Sequence, residues 1–273
     1  MTSSLKPLLK WVGGKRQLLP AIRAVVPEFE RYREPFLGGG AVLFSLAPQQ
    51  AIAGDLNSEL ITVYTVVRDH VDELIALLKT YPNNEDFFYE LRGLDRSSSF
   101  AELSSVSRAA RTIYLNKTCY NGLYRVNNAG QFNAPFGRYK NPAICDDKTL
   151  QAVSRYLRGN DVTLLHGDYH AVLKGAGEGD FIYLDPPYDP VTPTSNFTGY
   201  QSGGFSHADQ IALKLACDEL DYNGAKFLLS NSATPFITEL YADYTVETVG
   251  ANRAINSVAS KRGKVDEVLV RNF

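Results

Sequence analysis

Two kinds of apolar pattern alternate along the chain. Short continuous runs end in glycine, aspartate or proline, and longer stretches return an apolar residue every three or four positions. The first kind predicts buried strands and the second predicts helices packed on a sheet. Residues 32–36 read as a strand entering the run Gly38, Gly39, Gly40, with a compact helix over 41–46 behind it. A second strand, 51–53, ends at Gly54 and Asp55. From 58 to 91, Leu60, Ile61, Tyr64, Val67, Val71, Leu74, Leu77 and Leu78 carry helical spacing, and a polar break follows at 96–99. Another helix is predicted over 107–116. The turn-rich segment 120–133, with Asn121, Gly122, Asn127, Asn128 and Gly130, predicts a hairpin or exposed loop. Beyond Cys145 the strand–helix pattern resumes, with a helix at 148–156 and strands near 162–165, 181–184, 226–230, 244–249 and 266–270. The expected class is therefore α/β, with a helical block inserted, and 273 residues suffice for a catalytic domain carrying a smaller one.

Composition changes this picture little. With 44% hydrophobic and 21% charged residues the chain can bury a core, and a net charge of −2 gives no global signature of nucleic-acid binding. Local charge differs. Between Leu103 and Cys145 stand Arg108, Arg111, Lys117, Arg125, Arg138 and Lys140 without a single acid, interleaved with Tyr114, Tyr120, Tyr124, Phe132, Phe136 and Tyr139. That stretch fits a polyanion, and equally a solvated face over core aromatics. Three scattered cysteines fit neither a disulfide framework nor a zinc site, no apolar run reaches membrane-spanning length, and the N-terminus lacks the apolar core of a signal peptide. The expected setting is the cytoplasm, with no metal and no membrane.

The glycine cluster departs from a dinucleotide fingerprint, because the third glycine that packs a helix over a pyrophosphate is Leu43 here. A ligand with adenosine but no phosphates still needs close backbone approach and an acid for its ribose, and Gly38, Gly40 and Asp55 offer both. S-adenosylmethionine is such a ligand.

The run Phe181, Ile182, Tyr183, Leu184 leads directly into Asp185, Pro186, Pro187 and Tyr188. Two prolines cannot donate to a ladder, so they stop the strand and fix Asp185 and the Pro186 carbonyl at the carboxyl edge, where open α/β sheets bind ligands. An exocyclic amine such as adenine N6 is a poor nucleophile while its lone pair is delocalised into the ring. Two acceptors that take both its hydrogens localise that lone pair for in-line methyl transfer, and Tyr188 offers a face on which the base stacks.

These motifs, with Leu9 to Lys15 (Leu-Lys-Trp-Val-Gly-Gly-Lys), Glu34 to Gly40 (Glu-Pro-Phe-Leu-Gly-Gly-Gly) and Gly54 to Asn57 (Gly-Asp-Leu-Asn), cover nearly the whole chain. The sequence resembles the Dam-type, D12 class DNA adenine-N6 methyltransferases that recognise GATC. The resemblance implies a Rossmann-like methyltransferase domain from residues 1–57 and 146–273, and a mainly helical target-recognition domain with a β-hairpin from 58–145. It implies that Trp11, Lys15, Phe36, Gly38, Asp55, Asp168 and Asp185 hold S-adenosylmethionine, with S-adenosylhomocysteine as product. It further implies that Arg125 reads guanine, Leu123 and Pro135 contact thymine, Tyr120, Asn121 and Tyr139 support flipping of the adenine out of duplex DNA, Arg138 meets phosphate, and Lys10 reads the outer guanine. The family generally acts without an obligate protein partner. The segment 252–264, with Arg253, Lys261, Arg262 and Lys264, reads either as a mobile loop near DNA or as a plain surface loop. Two alternatives stay open: an N4-cytosine or RNA adenine methyltransferase, and a non-catalytic DNA-binding protein on the same fold.

Overall fold

The computed structural model describes residues 5–11, 13–191, 204–252 and 264–273. Val12 and most of the basic segment 252–264 therefore lie outside the described residues. Strands β1 (Arg31–Glu34), β2 (Gln50–Asp55), β3 (Asp161–His166), β4 (Asp180–Leu184), β5 (Lys226–Ser232), β6 (Thr245–Asn252) and β7 (Lys264–Arg271) form one sheet in the order β3-β2-β1-β4-β5-β7-β6. The first five run parallel, and β7 enters antiparallel between β5 and β6. This is a doubly wound α/β sheet. Its helices are α1 (Leu19–Val25), α2 (Ala41–Leu46), α3 (Ser58–Asp69), α4 (Val71–Thr80), α5 (Glu85–Gly93), α6 (Ser105–Thr118), α7 (Asp147–Gly159), α8 (Tyr169–Leu173), α9 (His207–Tyr222) and α10 (Pro235–Leu240).

The period of two along a strand sorts the core into layers. In β4, Phe181 and Tyr183 join a cluster with residues of α1 to α4, α6 and α7, while Ile182 and Leu184 join a second cluster with α8, α9 and α10. All four are at most 1% exposed. Burying such side chains contributes roughly 1.5–3 kcal/mol each, which makes β4 a firmly anchored strand end on which to mount a site. A third cluster joins Phe88, Leu91, Tyr114, Leu115, Cys119, Phe132 and Ala134, tying α5 and α6 to the segment after them. The helices α3 and α4 belong to the first cluster, so the inserted block shares its floor with the sheet.

Several elements differ from the sequence expectation for local reasons. β1 stops at Glu34 because Pro35 has no N–H to give the ladder. The apolar stretch 58–91 is three helices. It breaks at His70 (φ −134°), and again at Pro82, before which Tyr81 is extended. Asn84 then caps α5 by accepting from the Phe87 N–H at 2.8 Å. The sixteen-residue α9 escaped the pattern because Ile211 and Leu215 are apolar yet 45% and 64% exposed, which blurs the face made by Leu213, Cys217 and Leu220. The turn-rich segment forms an irregular hairpin with two isolated antiparallel bridges, Cys119 to Phe136 and Val126 to Phe132, in place of continuous strands. Asn127 closes its tip, its side-chain oxygen accepting from the N–H groups of Ala129 and Gln131 at 3.0 and 2.9 Å.

One buried ion cluster locks β1 to β4. Asp180, 1% exposed, accepts from Arg31 Nε at 2.6 Å and Arg33 Nε at 3.0 Å, while Arg33 also donates to the carbonyls of Val172 and Lys174. Removing one partner of such a cluster strands the other charge. Asp180→Ala is expected to lower unfolding free energy by about 3–5 kcal/mol in urea titrations. A shift below about 1 kcal/mol, the value of an exposed pair, would contradict that role.

Candidate active site and nucleic-acid interface

Four neighbouring strands, β3, β2, β1 and β4, end at the same edge and deliver Asp168, Asp55, the glycine loop and Asp185 there. Three strand spacings put these ends along roughly 14 Å. Asp185 follows Leu184 directly. Its Oδ1 meets Lys15 Nζ at 2.7 Å and accepts from Ser230 Oγ at 3.0 Å. Lys15, only 6% exposed, also donates to the Gly13 carbonyl at 2.6 Å and lies 4.6 Å from the Tyr188 ring centroid. Burial pushes the Asp185 carboxyl above the usual range, and the Lys15 ammonium opposes that shift. The Tyr188 hydroxyl donates to Glu267 Oε2 on β7 at 2.9 Å. Behind the tetrapeptide, Gln210 donates to the Pro187 carbonyl at 2.9 Å, and Asn231 Oδ1 accepts from the Asp189 N–H at 3.0 Å. Among the described residues no donor reaches the Pro186 carbonyl.

The glycine loop folds over the same edge. Asp55 Oδ2 accepts from the Gly38 N–H and Asp55 Oδ1 from the Asn57 N–H, both at 2.9 Å, so the carboxylate clamps the loop to the end of β2. Gly38 has φ +48°, and a Cβ there would come within 2.9 Å of the Trp11 ring. Gly40, with φ +67° at the start of α2, is pressed against Phe44. Phe36 packs on Tyr169 at 5.7 Å between centroids, beside Asp168, which caps α8 by accepting from the His170 N–H at 3.0 Å. The carboxylate of Asp168 is 60% exposed.

The N-terminal segment straps the hairpin to this edge. Trp11 stacks on Tyr124 of the hairpin at 4.8 Å. Fully buried Asn116 accepts from the Lys10 N–H at 2.9 Å and donates to the Lys10 carbonyl at 2.7 Å. The Lys10 stem lies against Gly122 and its ammonium 5.5 Å from the Tyr139 ring. On the outer surface stand Tyr120, 56% exposed, and Asn121, in left-handed backbone at φ +58°. Arg125 donates through Nε to Asn133 Oδ1 at 2.7 Å, and exposed Arg138 faces Glu85 at 3.5 Å. Leu123 is half-buried and Pro135 is exposed, its carbonyl accepting from the Tyr120 N–H at 2.8 Å.

The basic stretch is less available than its sequence suggests. Arg108 pairs with Glu59, buried Arg111 pairs with Asp95 at 2.8 Å, and Lys117 donates to the Leu8 carbonyl at 2.5 Å. Arg125, Arg138 and Lys140 remain exposed.

With a carboxylate on a proline-stopped strand, a clamped glycine loop and a strapped hairpin at one edge, comparison with known proteins gives the family. The model of the D12 class N6 adenine-specific DNA methyltransferases matches residues 11–255. The chain belongs to this family. It is 44% identical to a type II methyltransferase of Lactococcus lactis subsp. cremoris, across 99% of this chain and 96% of that protein. It is 40% identical to a type II methyltransferase of Methanocaldococcus jannaschii, across 98% and 99%. A DNA adenine methylase of Serratia marcescens is 34% identical across 97% of each.

Within the methyltransferase, the structure gathers the expected residues into three connected groups. Lys15, Asp185 and Tyr188 touch directly. Trp11, Gly38 and Asp55 form a second group and Phe36 with the Asp168 region a third, while Lys10, Tyr120, Asn121, Leu123, Arg125, Pro135, Arg138 and Tyr139 lie on the hairpin, its flanks and the strap. Sequence reasoning missed Ser230, Asn231, Gln210 and Glu267. Ser230 and Asn231 carried a usable signal, since the apolar Phe227, Leu228, Leu229 runs into polar residues at a strand end as β4 does. Glu267 carried none. Glu34, quoted only within a motif, is 2% exposed and accepts from the Tyr32 hydroxyl at 2.9 Å and the Leu43 N–H at 3.0 Å. Burial raises its carboxyl to about 8.

The folded methyltransferase thus holds the Glu34 proton up to about pH 8, whereas the unfolded chain releases it near the ordinary 4.5. Between those values the native state binds more protons, so this group's contribution to stability falls as pH rises. Glu34→Gln keeps an acceptor for both donors and removes the titration. The variant's stability relative to wild type should therefore rise from pH 5 to pH 8 by an amount on the order of a few kcal/mol. Denaturant titrations across that range check it, and parallel curves would refute it.

Proposed function

We propose that this methyltransferase transfers a methyl group to N6 of the adenine of GATC in duplex DNA, in the cytoplasm, after that base is flipped out of the helix. The observation that carries the reading is the Asp185 carboxylate held at the end of β4 beside the Pro186 carbonyl, with the hairpin strapped to the same edge. These two acceptors would take the amino hydrogens, and Tyr188 would offer the ring on which the adenine stacks. Stacking of that kind is worth roughly 1–3 kcal/mol, against a flipping cost of a few kcal/mol. Orientation does most of the remaining work, since well-placed reactants can gain about 7–11 kcal/mol.

S-adenosylmethionine, when bound, supplies an electrophilic methyl group. The residues present fit it: a glycine loop clamped to the end of β2 by Asp55, exposed Asp168, and the half-buried Phe36 ring. Trp11, Lys15, Phe36, Gly38, Gly40, Asp55, Asp168 and Asp185 would hold it, Lys15 acting through Asp185. The catalytic part comprises 1–57 and 146–273 and the recognition part 58–145, with α3 and α4 as their shared floor.

On the DNA side, Arg125 spends Nε and one Nη2 hydrogen on Asn133, which leaves its outer fork for a guanine edge. Lys10 would reach the outer guanine, Leu123 and Pro135 the thymine, Arg138 a phosphate, and Tyr120, Asn121 and Tyr139 would support the distorted duplex.

Methyl transfer from labelled S-adenosylmethionine to paired duplexes, one with GATC and one with a scrambled site, tests this directly. N6-methyladenine confined to the GATC duplex is expected. Methylation of both duplexes would discard the reading of the hairpin and keep the chemistry. Arg125→Ala should lose about 1–3 kcal/mol of discrimination at one base pair, whereas Arg138→Ala should weaken all duplexes alike and reduce the salt slope by about one. Equal losses from both variants on cognate and near-cognate DNA would remove that division.

A further inference from the structure

Ser230 lies at the carboxyl end of β5, one strand over from β4, and is fully buried. Its hydroxyl has one hydrogen, and that hydrogen goes to Asp185 Oδ1 at 3.0 Å. The Tyr183 hydroxyl, 2.9 Å from Ser230 Oγ, must then be the donor of the remaining bond, because Ser230 has no second hydrogen to give. Tyr183 to Ser230 to Asp185 is thus a chain of hydroxyls polarised toward the carboxylate. Lys15 Nζ meets the same Oδ1 at 2.7 Å. Both tethers fall on one oxygen, and Oδ2 accepts no hydrogen bond among the described residues.

We propose that Ser230, backed by Tyr183, is a positioning residue that commits Asp185 Oδ1 to the protein and presents Oδ2 to the amino group of the target base. The proposal rests on Asp185 being the amine acceptor. Two tethers on Oδ1 fix both the rotamer and the tilt of the carboxylate, so a single lone-pair direction on Oδ2 faces the substrate. One tether alone leaves rotation about the line through Lys15. The prolines fix the backbone and β5 fixes the side chain, which together make both acceptors rigid before the substrate arrives. The hydroxyl chain also favours the ionised, accepting form of Asp185. It acts there together with Lys15 from the N-terminal segment, and against burial and the Glu267 carboxylate from β7, while Glu34 from β1 also faces the site in its protonated form. The tyrosines Tyr183 and Tyr188 are held in their neutral form, chiefly by burial.

The test measures kcat, KM for duplex and the acidic limb of the pH profile for Ser230→Ala, Ser230→Thr, Tyr183→Phe and Asp185→Asn, with equilibrium binding of S-adenosylmethionine and thermal melting alongside. Ser230→Ala is expected to lower kcat by about 10- to 100-fold with KM and cofactor affinity within about twofold, the mark of an interaction made in the transition state. Its acidic limb should move to higher pH, because a group that favours the ionised carboxylate is gone. Tyr183→Phe should move both readouts in the same direction by less, and Ser230→Thr, which keeps the hydroxyl, should restore most of kcat. An unchanged kcat and acidic limb in Ser230→Ala overturns the proposal. So does a loss of kcat in Ser230→Ala and Tyr183→Phe that merely tracks lowered melting temperature and cofactor binding. Turnover retained by Asp185→Asn would instead bring down the underlying reading of Asp185, whatever the Ser230 variants do.

Discussion

A lysine almost wholly withdrawn from water meets a carboxylate at 2.7 Å at the end of the central strand, and most of the surrounding architecture follows from keeping that pair in place. Taking either charge out of water alone is costly, and the contact recovers that cost only with good geometry and further hydrogen bonds. The geometry comes from both directions. Four buried residues of β4 fix where Asp185 begins, and the Gly13 carbonyl and the Tyr188 ring hold the lysine end. Because Lys15 belongs to the N-terminal segment, the pair also sets the path of residues 8–11 and 13–15. That path carries Trp11 to the glycine loop and Lys10 to the hairpin, so the edge at Asp185, the glycine loop and the hairpin share one strap.

How much of this was legible depended on whether a feature is local in sequence. A proline-stopped apolar strand announces itself within eight residues, and the glycine loop and Asp55 do so within about twenty. Each rule of strand period and turn chemistry acts over that range. Strand order is not local, yet it decides that β4 lies beside β5 and so that Ser230, 45 positions away, touches Asp185. Glu267 is a sharper case. It comes from a strand that enters antiparallel between two others, and nothing in its neighbours signals that its carboxylate receives the Tyr188 hydroxyl. The helix α9 failed differently, since apolar residues on its wet face erased the period that would have revealed it.

The basic stretch shows why charge counts mislead. Its six cations suggest a continuous phosphate track, but three of them serve the fold: Arg108 on Glu59, Arg111 on Asp95 and Lys117 on the Leu8 carbonyl. Arg111 reaches from α6 to Asp95, which also pairs with Arg96 and accepts from the Phe132 N–H in the hairpin. A buried arginine thus stiffens a loop that presents a second arginine, Arg125, to the outside. A hairpin with two ladder bridges among the described residues needs such support from below if its side chains are to keep a fixed register.

The same economy of contacts governs the edge at Asp185. Methyl transfer from a sulfonium to an amine requires no covalent partner in the protein, so what the fold contributes is direction. A carboxylate on a free rotamer would spread its lone pairs over many directions and lose much of the advantage of proximity. Two prolines remove backbone freedom after Leu184, Gln210 takes the Pro187 carbonyl, and Asn231 takes the Asp189 N–H. Each of those contacts comes from a residue buried among apolar neighbours, where an amide left unpaired would cost more than its bond returns. The buried polar groups behind the tetrapeptide therefore act as a template for its backbone, and they brace each other, Asn231 donating to Gln210 Oε1 at 3.1 Å.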